Sequence, residues 1–246
     1  MIRVALLLLL GATLAAAQCP NVHIFGARET TILPGFGSTI SVVDNVIAAF
    51  PGATSEVITC IARRCTNDLR IIKASCGDDS YAESVTEGVG AVASHVDSFN
   101  SECPNTILQG GQIMDDAYCG GGDTTEALTS TAVPISTAAQ AKIAAAIFFG
   151  DPRHVPGLSY DVGTCEADGF VPRPVGFICP FASNIQSYCD APDPFCCNGN
   201  NTTVHEGYAT EYGAVALTFV KAKVNAIIQL GHVHGLAILV LCGKSP

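Results

Sequence analysis

Short apolar segments alternate with amphipathic ones along most of this chain, and no other feature restricts its fold as strongly. Val22–Phe25 is typical of an apolar strand. A helical period of apolar residues follows over residues 40–50 and stops at Pro51-Gly52, and Glu56–Thr59 predicts the next strand. Strands that alternate with helices indicate a parallel sheet covered by helices on both faces.

The rest of the chain continues this alternation. The clearest helix starts with the capping-box pair Ser80 and Glu83, and its apolar residues recur at spacings of four and three from Val85 to Phe99. Two more buried strands and a last helix are predicted at Ala145–Phe149, Ile185–Tyr188 and Glu206–Val224. We therefore predict an α/β fold with three α/β/α layers and a mostly parallel sheet of about five strands.

Both ends of the chain depart from the pattern. Met1–Ala17 is typical of a secretory signal peptide, with Arg3 near its start and Ala15-Ala16-Ala17 at a small-residue cleavage site. Its apolar run is short for a membrane anchor, which is the alternative. Residues 226–246 form an apolar tail, which we interpret as an additional docking helix. The predicted organisation is a signal peptide at 1–17, one domain at 18–225 and this tail.

Composition excludes several classes of function. The chain has 22 acidic and 12 basic residues and few aromatic ones, which argues against nucleic acid or anionic membranes as partners. Twelve cysteines scattered through a secreted chain indicate disulfides rather than metal ligands. His232 and His234 have only Cys242 as a further candidate ligand, so we predict no metal and no cofactor. Overlapping sequons at Asn200 and Asn201 predict a glycoprotein.

Three longer segments resemble a known family. They are Val22–Thr31 (VHIFGARETT), Gly150–Cys165 (GDPRHVPGLSYDVGTC) and Ser187–Asn198 (SYCDAPDPFCCN), the last followed by His205-Glu206-Gly207-Tyr208. On these segments the chain resembles the fungal cutinase and acetylxylan esterase family of secreted serine esterases over about residues 18–225. It is more similar to the acetylxylan esterase branch, through FGARETT and DPFCCN.

The resemblance implies a small α/β-hydrolase that cleaves esters of plant cell-wall polysaccharide, or cutin-like esters, through a serine acyl-enzyme without metal or cofactor. It also implies a disulfide between Cys19 and Cys103. We expect a monomer.

Two catalytic residues follow from the resemblance. His205 matches the family's base and Asp193 matches the carboxylate that orients it, in the order that α/β-hydrolases use. Taken singly, Asp193-Pro194 reads as an ordinary turn and His205 as an exposed loop histidine. Thr30 and Gln109 match the two donors of the oxyanion hole, although an N-cap or loop hydroxyl is the alternative for Thr30.

The nucleophile is missing from its expected place. The family elbow reads Gly-Tyr-Ser-Gln-Gly-Gly after a buried strand, whereas Leu108 precedes Gln109-Gly110-Gly111 here and about six residues are absent. A strand that crosses a sheet needs about five or six residues. The central strand is therefore expected to be truncated or to borrow residues from its neighbours. Thr106 lies on the strand, and Ser159 lacks the second glycine of an elbow, so neither is expected to replace the serine.

Three hypotheses follow for the chain as its sequence stands. The first is a member of an ester-hydrolase family that shows essentially no esterase turnover, because covalent catalysis has no nucleophile to start it. The second is a secreted non-catalytic binding protein that retains the cleft, and the third is a chain that folds poorly because its central strand is short. Cys60–Ser75 also departs from the family pattern, with extra basic residues and Cys65. Together these departures suggest misplaced exon boundaries, a hypothesis that sequencing the transcript across Asn105–Gln109 tests.

Overall fold

The chain forms a six-stranded parallel sheet with helices on both faces. The computed structural model describes residues 19–29, 35–59 and 81–241, with the side chains of the last helix described through residue 229. The strands are β1 (His23–Gly26), β2 (Thr54–Val57), β3 (Thr106–Gly110), β4 (Ile143–Phe149), β5 (Asp161–Val162) and β6 (Ile185–Tyr188). Their spatial order is β2-β1-β3-β4-β6-β5, and every pair of neighbours is parallel.

Five helices connect and cover the strands. They are α1 (Ile40–Ala49), α2 (Tyr81–Asn100), α3 (Gln112–Cys119), α4 (Thr137–Gln140) and α5 (Thr202–Leu241), in the described part of the chain. Short 3₁₀ turns at Gly37–Thr39 and Ala182–Asn184 precede α1 and β6. The predicted α/β fold is confirmed, with six strands instead of about five because the two-residue β5 pairs with the edge of β6.

Two hydrophobic cores fill the space between sheet and helices. On one face, Val85, Val89, Val92 and Val96 of α2 pack with residues of α3 and with Leu108 of β3. These valines lie one helical turn apart, which places them on one side of α2. The core of the opposite face joins α1 and α5 through residues that include Val42, Val43, Val46, Val220 and Val224. This arrangement is the predicted three-layer architecture.

The central strand reaches an ordinary length by borrowing residues. β3 pairs with β1 through Thr106–Gln109 and with β4 through Thr106–Gly110, so Gln109 and Gly110 serve as strand residues. Buried parallel strands must satisfy their backbone N–H and C=O groups on both sides. The backbone pairing of β3 therefore includes Gln109 and Gly110, which the resemblance assigned to the elbow. With these two residues β3 is not shorter than β1, although the sequence predicted a truncated central strand.

Four disulfides join the described residues. Cys19–Cys103 ties the start of the domain to the segment before β3, as the resemblance implied. Cys119–Cys179 links the end of α3 to a long loop, while Cys165–Cys197 and Cys189–Cys196 fix the loop between β6 and α5. Each disulfide reduces the conformational freedom of the unfolded chain, and the folded state is more stable as a result.

Helix α5 is longer than predicted and continues through much of the predicted tail to Leu241. Within the described residues, no helix combines the length and the apolar character that a membrane crossing requires. Several predictions fall outside the described residues: the signal peptide at 1–17, Thr30, Ser80, the segment Cys60–Ser75, and the side chains of His232, His234 and Cys242.

Candidate active site

The structure brings the two predicted catalytic residues into contact. Nδ1 of His205 donates a hydrogen bond of 2.9 Å to Oδ2 of Asp193. Asp193 lies on the loop that the Cys189–Cys196 disulfide closes, and His205 lies in the first turn of α5. The imidazole side chain is 21% exposed, whereas Asp193 is fully buried. A general base has this geometry when its ring is held in one orientation and remains partly accessible to solvent.

The surroundings of Asp193 favour its ionised form. Its Oδ1 accepts hydrogen bonds from the backbone N–H groups of Phe195 (2.7 Å) and Cys196 (3.2 Å). Burial alone would raise the pKa of Asp193, but the hydrogen bonds from His205, Phe195 and Tyr208 lower it below its ordinary value. A carboxylate that stays ionised holds the proton of His205 on Nδ1 and leaves Nε2 to accept one.

Tyr208 is a member of this group that sequence reasoning missed. Its hydroxyl donates to Oδ2 of Asp193 at 2.9 Å and accepts from the backbone N–H of Asp190 at 2.9 Å. It lies three residues after His205 on α5, and residues at this spacing share a helix face. That spacing was available in the sequence, but only the structure shows that the shared face points at Asp193.

His205 faces a cleft of about 750 Å³. The cleft is bordered by the turn between β3 and α3, by the segment 149–152 and by the aromatic rings of Tyr81, Phe170 and Phe195. Gly150 has φ +60°, and a Cβ at this residue would lie 2.6 Å from the His205 ring. Glycine at this position therefore permits the close approach of the imidazole to the backbone.

The turn at the end of β3 contains Gly111 and does not contain Leu108. Leu108, the predicted nucleophile position, is fully buried within β3 and packs in the core against α2 and α3. Gly111 is the N-cap of α3, and Gln112 is the first residue of the helix. The turn therefore lies three residues later than the resemblance placed it, because the pairing of β3 extends through Gly110.

The two predicted oxyanion donors are not both located at this turn. Gln109 borders the cleft but is a strand residue, and its side-chain Nε2 donates to Oγ1 of Thr39 at 2.7 Å. Thr30 lies outside the described residues. At the start of α3, the backbone N–H groups of Gln112 and Ile113 have no acceptor among the described residues. The oxyanion roles of Gln109 and Thr30 stay predictions.

Three of the hydroxyl groups that border the cleft have other partners. The Ser38 hydroxyl donates to Glu29, that of Thr39 donates to the carbonyl of Phe36, and that of Tyr81 donates to Gln112. Within residues 19–29, 35–59 and 81–229, no hydroxyl is hydrogen-bonded to the imidazole of His205.

The two other hydroxyls considered from the sequence lie elsewhere. The Thr106 hydroxyl is buried and donates to Asn100, and Ser159 is not among the residues that border the cleft.

Two buried arginines join α3 to the loop beyond β4. Nε of Arg173 donates to Oδ2 of Asp115 at 2.9 Å, and its Nη2 lies 3.2 Å from Oδ1 of Asp116. Arg153 contacts Oδ1 of Asp116 at 3.1 Å and Oδ2 of Asp123 at 3.1 Å. Because each arginine has two carboxylate neighbours, this network fixes α3 directly behind the turn at Gly111.

The carboxylates of this region outnumber the arginines, and two of them resist ionisation. Burial raises the pKa of Asp116 to about 7, although Arg173 and Arg153 act in the opposite direction. Burial and the neighbouring Asp115 raise the pKa of Asp151, the residue after Gly150. Sequence reasoning did not identify this network, because its partners are up to 58 residues apart.

One group of residues in the described part of the chain has the spacing of metal ligands. It comprises His154, Cys165 and Cys189. Both sulfur atoms belong to disulfides, and metal binding requires thiolates. These residues therefore do not suit a metal ion.

Comparisons with known proteins agree with the fold. A family model described as cutinase matches residues 18–224. The chain is 53% identical over 214 residues to acetylxylan esterase 2 of Talaromyces purpureogenus, covering 85% of this chain and 88% of that protein. It is 50% identical over 234 residues to cutinase 11 of Verticillium dahliae, covering 90% and 77%.

Among solved structures, an acetylxylan esterase at 0.90 Å resolution superposes with a TM-score of 0.76 at 52% identity. The match covers 84% of this chain and all of that one. The sequence comparison and the structure comparison thus cover similar shares of this chain, and in each the relative is named as an acetylxylan esterase. The chain belongs to the cutinase family, with its acetylxylan esterase members among its similar relatives.

Proposed function

We propose that the cleft is the acyl-ester site of a secreted carboxylic-ester hydrolase acting on acetylated plant cell-wall polysaccharide or related small esters. His205 is the base and Asp193 the carboxylate that orients it. The observation that supports this assignment best is the 2.9 Å contact between these side chains at the wall of a cleft of about 750 Å³. A base of this kind is what acyl transfer needs.

The substrate class rests on the relatives and on the lining of the cleft. Acetylxylan esterase 2 and cutinase 11 are named for esters of plant polymers. Phe170 and Phe195 are 51% and 40% exposed at the cleft, so a ligand would gain apolar contact on binding. The chain carries a net charge of −10, which suits neutral polysaccharide esters better than anionic ligands.

We further propose that the chain as its sequence stands does not form a serine acyl-enzyme. Leu108 belongs to the core, and the turn that faces the cleft contains Gly111. Covalent catalysis requires a nucleophile within hydrogen-bond reach of its base. Thr30 and Gln109 remain the proposed oxyanion donors by resemblance.

Substitution at the turn tests this proposal. A Cβ at Gly111 would meet the carbonyl oxygen of Phe149 at 3.4 Å and Cα of Asp151 at 3.9 Å, so a small side chain fits there. Gly111→Ser places a hydroxyl at the turn, directly before Gln112, and Gly111→Ala is the matched control with the same Cβ. We expect Gly111→Ser to hydrolyse p-nitrophenyl acetate at least about 100-fold faster than Gly111→Ala, the lower range for a positioned general base.

Inhibition distinguishes the outcomes. An organophosphate that inactivates Gly111→Ser, but leaves the unmodified chain unaffected, supports the proposal. Organophosphate-sensitive turnover by the unmodified chain would show that another hydroxyl is the nucleophile. A folded Gly111→Ser without any detectable ester turnover, like Gly111→Ala, would remove the ester-hydrolase assignment.

A second candidate function is non-catalytic binding of acylated polysaccharide. It is favoured by one observation: the cleft and the Asp193–His205 pair are intact, whereas Leu108 is a core residue. Retention on acetylated xylan without any ester turnover by the chain would support this candidate. Equal retention on deacetylated xylan would argue against recognition of the acyl group.

We propose secretion and a monomeric state as part of the same function. The four disulfides in the described residues suit an oxidising compartment. Asn200 and Asn201 are exposed on the loop before α5, which makes either sequon accessible. Mass spectrometry of secreted protein, together with its elution volume in size-exclusion chromatography, tests cleavage before Gln18, glycosylation and the monomeric state.

A further inference from the structure

His205 has a fixed orientation, and its Nε2 has no hydrogen-bond partner among the described residues. Its Nδ1 is held by Asp193, whose other oxygen is held by two backbone N–H groups. The ring therefore presents Nε2 to the cleft, and no hydroxyl of the described residues is hydrogen-bonded to the imidazole. A base oriented in this way can accept a proton from any small donor that enters the cleft.

The turn and the imidazole border the same piece of backbone. A Cβ at Gly111 would lie nearest to Phe149 and Asp151, and a Cβ at Gly150, between them, would touch the His205 ring. Gly111 and His205 both border the cleft, so a small ligand in the cleft can approach the turn and the base.

The start of α3 supplies donors for a developing negative charge. The backbone N–H groups of Gln112 and Ile113 are the first two of the helix and have no acceptor among the described residues. Unpaired N–H groups at a helix start, together with the helix dipole, stabilise anions. An oxyanion at the turn would therefore have preorganised donors nearby.

We propose that this chain hydrolyses activated acyl esters in one step, with His205 acting as general base on a water molecule, so that no acyl-enzyme forms. The proposal rests on the proposed function of the cleft as an acyl-ester site. It assigns this chain a reaction that does not require the serine of the elbow.

The step balances without any further reactant. The water oxygen bonds to the carbonyl carbon while its proton passes to Nε2 of His205, and the carbonyl oxygen becomes the oxyanion. The intermediate then collapses: the bond to the leaving oxygen breaks, and the imidazolium returns the proton to that oxygen. The products are a carboxylic acid and an alcohol, and His205 is again neutral.

The expected rate is low but measurable. Hydrolases that lose one member of their triad retain about 10³-fold to 10⁴-fold acceleration over water from binding and oxyanion donors. We expect the purified chain to hydrolyse p-nitrophenyl acetate in this range, and His205→Asn to lose about 100-fold of that rate. His95→Gln is the matched control, because His95 pairs with Glu56 and does not border the cleft.

The covalent and the one-step reactions leave different traces. Intact-protein mass spectrometry during turnover is expected to show no acetylated protein, and an organophosphate is expected to leave the rate unchanged. An acetyl adduct, or loss of activity with the organophosphate, would overturn the proposal. A rate equal to that of His205→Asn would also overturn it, with circular dichroism showing that both proteins are folded.

The proposal can fail independently of the function on which it rests. If the unmodified chain shows no His205-dependent turnover, but Gly111→Ser gains organophosphate-sensitive activity, only the one-step reaction is refuted. If the unmodified chain shows no His205-dependent turnover and a folded Gly111→Ser also gains nothing, the assignment of the cleft itself is refuted.

Discussion

Asp116 is expected to destabilise the folded protein at neutral and alkaline pH, so that Asp116→Asn raises stability there. The pKa of this buried carboxyl rises from an ordinary 3.8 to about 7, chiefly because of burial. A group whose folded pKa is raised contributes stability that is present below its unfolded pKa and is lost as pH rises through the folded one. The loss therefore runs from about pH 4 to about pH 7.

The magnitude follows from the same two pKa values. Each pKa unit corresponds to about 1.4 kcal/mol, so the complete loss is about 4 kcal/mol, of which about 3 kcal/mol falls between pH 5 and pH 8. Asparagine does not titrate, and Arg153 and Arg173 keep Asp123 and Asp115 as partners when Asp116 is replaced. We expect Asp116→Asn to gain about 3 kcal/mol relative to the unmodified chain on going from pH 5 to pH 8.

Asp115→Asn is the control for this prediction. Oδ2 of Asp115 accepts a hydrogen bond from Nε of Arg173 at 2.9 Å and lies 2.8 Å from Nη2 of the same guanidinium. Removing one partner of a buried ion pair costs about 3 kcal/mol, so this variant is expected to be less stable at both pH values. Urea unfolding of the disulfide-intact proteins at pH 5 and pH 8 measures these differences. A difference between Asp116→Asn and the unmodified chain that does not change with pH would refute the reasoning.

Three further predictions concern the site. Leu108→Ser is expected to lose about 3–5 kcal/mol of stability in thermal melting without gaining any turnover of p-nitrophenyl acetate, since this fully buried strand residue lies in the core; gained activity would contradict the position of the turn. Asp193→Asn in the Gly111→Ser background is expected to lower kcat about 10⁴-fold, because the amide no longer fixes the tautomer of His205; a loss below tenfold would contradict the role of the pair. Tyr208→Phe removes one donor to Asp193, so NMR titration should show a higher pKa for Asp193 than in the unmodified chain, and an unchanged or lower pKa would contradict a positioning role.

Helices α1, α2 and α5 and most strands of this fold were predictable because their signals are local. The valines of α2 and the apolar positions of α1 recur at helical spacing, and β6 was predicted with its observed bounds. β2 begins two residues earlier than predicted, because its bounds depend on the register with β1. β5 has only two residues and no pattern of its own, so it was not predicted.

The residues of the candidate site also differ in whether the sequence alone could predict them. Asp193 and His205 were predicted as catalytic residues by resemblance, and the structure places them in contact at 2.9 Å. Tyr208 and the arginine network were not identified, because their partners are distant in sequence or depend on which helix face points inward. The position of the turn was also not predictable, since Gln109 and Gly110 could belong to an elbow or to a strand until their pairing partners were known.

The sequence by itself determined the α/β class, the amphipathic helices and the absence of a serine in front of Gln109, because periodicity and residue identity are properties of the chain alone. Only the tertiary structure decided that Leu108 is a core residue and that Gly111 forms the turn facing the cleft. The physical reason is the hydrogen-bonding demand of a central parallel strand, whose length is set by the neighbours β1 and β4 and not by its own residues.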